Sequence, residues 1–188
     1  MNLNFLLCNV KKCISDKFSI QVEAFRNVYK LYGGFNAIIN SPYFWAAVLI
    51  SILNIKDIFF DCWWDKPISI LPNIIGFTIG AYAIVLSSGS EKFREFIAGD
   101  YNGKKSIFLT VNSSFVHIIV VQVTSLILSI TLKNSYIEYT AYLIRILSIV
   151  GYIIFIYSLT LIISVSISIS IFTLSDLYNE YITKNKHH

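Results

Sequence analysis

The sequence predicts an all-α membrane protein, a bundle of four transmembrane helices, and three observations carry that prediction. Charged residues make up 14% of the 188-residue chain and hydrophobic residues 55%, against about 25% charged in an ordinary soluble domain. Mean hydropathy is +0.64. Long uncharged runs recur, the clearest being Ile68 to Ser88, ISILPNIIGFTIGAYAIVLSS, and roughly 20 apolar helical residues cross a hydrocarbon core of about 30 Å. The length suits one compact membrane domain with little room for a second, soluble one.

Residues 1–41 form a cytoplasmic amphipathic segment in this reading. Phe18, Val22, Phe25, Tyr29 and Tyr32 recur at helical spacing, while Gln21, Glu23, Arg26, Asn27 and Lys30 fill the other faces. That pattern predicts a helix beginning near Ser15-Asp16 and stopped by Gly33-Gly34. Its apolar stripe must be buried, either in the bilayer interface or against extensions of other helices. The opening MNLNFLLCNVKK has too short an apolar run for a signal peptide.

Ser41-Pro42 reads as an N-cap followed by the first helical position and opens the transmembrane domain, residues 42–175. The first span, 42–62, is interrupted by Asn54, Lys56 and Asp57. Trp63 and Trp64 follow in a polar turn, where indoles suit the bilayer interface. The second span, 68–88, contains Pro72-Asn73 as a break and is expected to continue past the membrane to Phe96. A polar loop from Gly89 to Ser106 leads to the third span, 107–132. A short loop, Lys133 to Glu138, precedes the fourth, 139–162, which stays apolar to Leu174: it either tilts strongly or, as expected, projects its last turns into the cytoplasm before a tail at 176–188. Ser164, Ser166, Ser168 and Ser170 alternate with apolar residues as in a strand. An unpaired strand cannot sit in lipid, so helix is expected within the membrane, and the form of the chain beyond it stays open.

Basic residues set the orientation. Lys11, Lys12, Lys17, Arg26 and Lys30 precede the first span, Lys92, Arg94, Lys104 and Lys105 lie in the middle loop, and Lys184 and Lys186 in the tail. The two short turns carry only Lys66 and Lys133. The positive-inside rule therefore places both termini and the middle loop in the cytoplasm. Cys8 and Cys13 would then meet a reducing compartment, and the spacing of Cys8, Cys13 and Cys62 fits no metal site. No metal site is read into His187-His188 either.

Two groups of residues within the spans stand out. Gly76, Gly80, Ala83 and Ser87 lie on one helical face, where small side chains let helices approach closely. Most of this stripe is expected to pack within the chain, with Ser87 and the extension through Phe96 reaching a neighbouring subunit. Lys56, Asp57, Asn73, Gln122 and Arg145 form an expected polar cluster in the outer half of the bundle, with an Asp57–Arg145 contact and Lys56 reaching the headgroups. Charges in a span cost about 2.5–3.5 kcal/mol on insertion scales, so such groups either satisfy one another or line a solvated path. His117, deep in the third span, either bonds a neighbouring serine or carbonyl or relays a proton. No carboxylate pair, Cys/His cluster, phosphate loop or catalytic triad is visible, which predicts a non-enzymatic protein without cofactor or direct nucleic-acid binding.

The run LPNIIGFTIGAYAIVLSSGSEKF from Leu71 to Phe93, preceded by a Trp-Trp-Asp turn, resembles a segment of small bacterial membrane proteins of anti-phage defence. The nearest are the four-pass membrane subunit of the Kiwa system and, at greater distance, the membrane effectors of some retron systems. The resemblance covers roughly Ser41 to Phe96 and supplies no catalytic residues. It implies an oligomeric inner-membrane component that senses infection or perturbs the bilayer and works with a cytoplasmic protein. A small ion channel or transport protein using the polar cluster, or a passive anchor for a cytoplasmic enzyme, are the other readings.

Overall fold

The computed structural model describes residues 3–60, 62–87, 107–134 and 142–185, and the side-chain surroundings of most of these from Lys17 onward. It is all-helical, with no strand among the described residues. The elements are α1 (Leu3–Tyr32), α2 (Gly34–Ile39), α3 (Pro42–Leu53), α4 (Ile55–Phe60), α5 (Asp65–Ser87), α6 (Ile107–Lys133) and α7 (Tyr142–Asn185). Three stretches are long and apolar enough to cross a bilayer: Asp65–Ser87, Phe108–Lys133 and Tyr142–Ile171. These helices mark a membrane protein.

The first expected span is not one helix. It is divided into α3, of 12 residues, and α4, of 6, at Asn54, whose backbone leaves the helical region (φ −103°, ψ 29°). Both its backbone N–H and its side-chain Nδ2 donate to the Ile50 carbonyl, at 3.1 and 2.8 Å. An asparagine that bonds the backbone locally competes with the helical ladder, and here it ends α3. The pair still runs antiparallel to α7. The Thr160 hydroxyl donates to the Tyr43 carbonyl at 3.1 Å, and Trp63, just past α4, reaches Ser148.

The other elements follow the sequence with smaller differences. α1 begins at Leu3, well before Ser15, and ends at Gly33 and Gly34, whose φ values of 111° and 68° are costly for residues with a Cβ. α5 starts at Asp65 and runs unbroken through Pro72, so Pro72-Asn73 does not break it. Proline removes one backbone donor, and the turns on either side hold. α7 stays one helix of 44 residues to Asn185, through the alternating serines. Ser166, Ser168 and Ser170 donate to the carbonyls four residues earlier at 2.9–3.1 Å, which satisfies their hydroxyls without leaving the helix. The expected extension through Phe96, the loop from Gly89 to Ser106 and most of the loop after Lys133 lie outside the described residues.

α6 is the centre of the bundle, packing against α5 on one side and α7 on the other, with α3 on the far side of α7 and α1 against α6. Lipid tails are as apolar as leucine, so association rests on close packing and hydrogen bonds. Trp63 shows both. It is fully buried, donates from Nε1 to Ser148 Oγ at 2.7 Å, and meets Tyr152 edge-on at 5.5 Å. Trp63 is therefore a core plug, packed against α7 at the end of the bundle where the sequence placed it in a turn. An ion pair between Lys133 and Asp65, 2.8 Å long and half exposed, closes the same end of the bundle.

Candidate functional site

The most connected polar group of the bundle is His117 on α6. This helix carries a file of buried polar residues, Ser113, His117, Gln122, Ser125 and Ser129. Two of its serines turn back on their own helix, Ser113 to Thr110 and Ser129 to Ser125. An imidazole is too long to do so and must find partners on other helices. His117 Nδ1 lies 3.2 Å from the Tyr29 hydroxyl of α1, and Nε2 lies 3.1 Å from the Tyr157 hydroxyl of α7. Tyr32 of α1 stacks on the ring, with centroids 4.2 Å apart and planes at 25°. Phe44 of α3 meets Tyr157 edge-on at 5.7 Å, so four helices converge.

A neutral imidazole has one donor and one acceptor, and a tyrosine hydroxyl serves either role. Both ring nitrogens are therefore satisfied whichever tautomer is present. On α1, burial raises the hydroxyl pKa of Tyr29 above its ordinary value, with a smaller contribution from Tyr32. Burial also raises that of Tyr32, partly offset by a hydrogen bond from Tyr157. Both hydroxyls stay protonated at neutral pH and remain available to the histidine.

The node is the anchorage of α1. Its residues 17–27 are exposed, and only the last turn and the glycine turn beyond it are partly covered. Phe18, Val22 and Phe25 stay uncovered, so the apolar stripe finds no partner among the described residues beyond its Tyr29–Tyr32 end.

Among the described residues the expected outer polar cluster is not brought together as one group. Gln122 is fully buried and donates from Nε2 to Thr78 Oγ1 of α5 at 3.2 Å. Its Oε1, like Ser125 Oγ, is buried without a partner among the described residues. Lys56, Asn73 and Arg145 are exposed. The side chain of Asp57 lies outside the described residues, and with it the expected Asp57–Arg145 contact.

The small-residue face of α5 is also uncovered. A Cβ built on Gly76 or Gly80 meets nothing within 4 Å, and Ala83 and Ser87 are exposed. Among the described residues nothing packs on this stripe, where the sequence expected most of it to meet a helix of the same chain. α5 turns Leu71, Thr78 and Val85 inward instead, because those larger side chains fill the contact with α6.

Sequence reasoning singled out His117 but missed its tyrosine partners. The available signal was that Tyr29 and Tyr32, three apart, end an otherwise Phe/Val stripe and carry hydroxyls that must be satisfied. Among the described residues no group of three His, Cys, Asp or Glu could hold a metal ion. Fold and site together define an all-helical membrane protein in which a long amphipathic helix is fastened to the spanning core by a histidine–tyrosine node. Comparison with protein-family models, with curated proteins and with solved structures finds no match for the chain.

Proposed function

We propose that this protein is a non-enzymatic, oligomeric component of the bacterial inner membrane that serves anti-phage defence, coupling the state of the bilayer to a cytoplasmic protein through α1. One observation carries the coupling: α1 is fastened to the spanning core where Tyr29 and Tyr32 meet His117. Among the described residues α1 is covered only over its last turn and the glycine turn beyond it, which makes that end the point of coupling. The basic residues of α1, the middle loop and the tail favour a cytoplasmic location for all three. The likeness of the Leu71–Phe93 run to defence-system membrane proteins supports the biological setting. Support for an ion channel is weaker, because Gln122 is buried and bonded to Thr78 in the α5–α6 contact, whereas Lys56, Asn73 and Arg145 are exposed.

The test is plaquing efficiency on cells carrying the native locus, the locus lacking this gene, and the locus with His117→Ala. Protection is expected with the intact locus alone, with the variant protein still present in the membrane. Protection that persists without this gene, or its absence across a broad phage panel, overturns the proposal.

A further inference from the structure

His117 is the only histidine of the chain outside its last two residues, and histidine is the side chain whose ordinary titration falls between pH 5 and 8. In the docked site its ring is 1% exposed. α1 gives it Tyr29 at Nδ1 and Tyr32 against the ring face, and α7 gives it Tyr157 at Nε2. α3 adds Phe44, edge-on to Tyr157, and Tyr43, near Tyr32. On α5 the hydroxyl of Tyr82 is taken up by Asn112 of α6. Among the described residues no carboxylate faces the imidazole, and Asp65 is engaged by Lys133 at the far end of α6. The charges of α1 nearest the site, Arg26 and Lys30, are cations and exposed.

A neutral imidazole is fully served here, one nitrogen accepting from a hydroxyl and the other donating to one. A second proton changes that. Both nitrogens then donate, so Tyr29 and Tyr157 must both turn to accept. The ring also carries a full charge with no counter-charge beside it, and a charge held out of water in that way is costly. The face of Tyr32 attracts a cation but brings no opposite charge. Relief comes from one side. α6 and α7 pack on one another within the bundle, whereas α1 is covered only at this end, and lifting it bares both Nδ1 and the ring face. His117 stands sixteen residues before Lys133, about 24 Å along the axis against a hydrocarbon core of about 30 Å. It is therefore close to the opposite surface, the cytoplasmic one under the orientation that the basic residues favour, and water reaches it once α1 has left.

We propose that His117 is an acid latch: protonation of its imidazole releases the Tyr29–Tyr32 end of α1, so that a fall in pH at the cytoplasmic surface frees the helix. The undocked state binds one proton more than the docked state. By linkage, docking is complete above the ordinary imidazole value of about 6.5 and weakens as pH falls below it, by up to about tenfold per unit. A bilayer made leaky to protons would acidify the side that His117 faces. The latch rests on the proposed function, for which it supplies the signal that α1 reads.

The experiment uses the full chain in lipid nanodiscs, with Cys8 and Cys13 replaced by serine and His187 and His188 by alanine. Spin labels on Cys62 and on Asn27→Cys, both exposed positions, report the distance of α1 from the bundle. In unlabelled protein the ring nitrogen resonances of His117, then the sole histidine, report its protonation. Between about pH 7.5 and about pH 5 the docked distance should give way to a second population, over the same range in which the ring takes its second proton. His117→Gln, which forms hydrogen bonds but does not titrate, should hold one population throughout. A ring that takes its proton while the docked distance persists overturns the latch, as does a distance change that survives in His117→Gln or no change of either kind. Should His117→Gln fail to dock at all, coincidence of the two native curves supports the latch and their separation overturns it. Acid release in nanodiscs, with full phage protection of cells carrying His117→Gln, supports the latch and overturns its role in defence. Failure of the native locus to protect overturns the defence function and leaves the latch to the two curves.

Discussion

The indole of Trp63 stands directly over Gly151: a Cβ built on that glycine would come within 2.9 Å of Cη2 and 3.2 Å of Cζ2. The indole is held by its Nε1 bond to Ser148, and the same Cβ would also come within 3.4 Å of Leu132 Cδ1. In a helix interior alanine is favoured over glycine by about 1 kcal/mol, whereas overpacking a filled site costs about 1–3 kcal/mol. Gly151→Ala should therefore lower the thermal midpoint in detergent. Trp63→Phe with Gly151→Ala should recover part of the loss, since the smaller ring leaves room for the methyl group. A midpoint raised by Gly151→Ala alone would contradict this contact.

The anchorage of α1 predicts a localised effect. Removing the imidazole with His117→Ala leaves the Tyr29 and Tyr157 hydroxyls without it, and an unsatisfied buried hydroxyl costs about 1–3 kcal/mol. Trypsin should then cleave at Arg26 and Lys30 faster, with hydrogen exchange rising over residues 25–32 and little change in α6. Tyr29→Phe, which removes one hydroxyl and keeps the ring contact, should have the smaller effect. Equal exchange throughout α1 in the variant and the native protein would contradict the anchorage.

The same contact has a pH dependence of known sign. Tyr29 and Tyr32 hold their protons more tightly when α1 is docked than when it is free, so docking is favoured wherever the hydroxyls are protonated. The contribution is complete below the free tyrosine value of about 10 and is lost as pH rises from there through the raised values. Above neutrality, protease protection of Arg26 and Lys30 should stay constant to about pH 10 and decline beyond it. A decline centred near neutrality would assign control to another group.

Gln122 gives an inverted expectation for a buried polar residue. Its Oε1 is already unpaired, and Thr78, its Nε2 partner, has a second bond to the Ile74 carbonyl at 2.9 Å. Replacing both halves of a half-satisfied amide by hydrocarbon is close to neutral. Gln122→Leu should stay within about 1 kcal/mol of the native protein or exceed it, whereas Thr78→Val strands Gln122 Nε2 and should cost about 1–3 kcal/mol. Reversal of that order in detergent melts would mean that Oε1 has a partner.

Orientation can be read from the cysteines. Cys62 is exposed and follows α4 at the Asp65–Lys133 end of the bundle. Under the orientation set by the basic residues, a membrane-impermeant thiol reagent should label Cys62 in sealed cells and leave Cys8 and Cys13 unmodified until the cells are opened. Labelling of Cys8 in sealed cells reverses the topology.

Most of the backbone was legible in the residues. Three long apolar runs became α5, α6 and α7, and the Gly33-Gly34 pair ended α1. The alternating serines stayed helical for a reason that lies in single side chains, since a serine hydroxyl can be satisfied by its own helix. The division at Asn54 left a partial trace, because Asn54, Lys56 and Asp57 visibly interrupt the run, but the point of division depends on one amide bonding Ile50. The site was harder to read. Tyr29 and His117 are 88 positions apart, and periodicity within each helix says nothing about which faces meet. Gly76 and Gly80 misled in the opposite way: small residues on one face mark where a helix can approach, yet among the described residues none does.

At about 1.5 Å per residue, the 44 residues of α7 make a rod of roughly 66 Å, more than twice the hydrocarbon thickness. Beyond Gly151 it has neither glycine nor proline, and Gly151 itself is pinned beneath Trp63. The rod therefore carries no glycine or proline swivel between the stretch long enough to cross a bilayer, Tyr142–Ile171, and the turns beyond it. Turning the membrane portion by some angle turns Leu174, Leu177 and Tyr178, all exposed, by nearly the same angle. A molecule seated on that apolar end would feel rotation in the bilayer as torque, as a key feels the turning of its shaft.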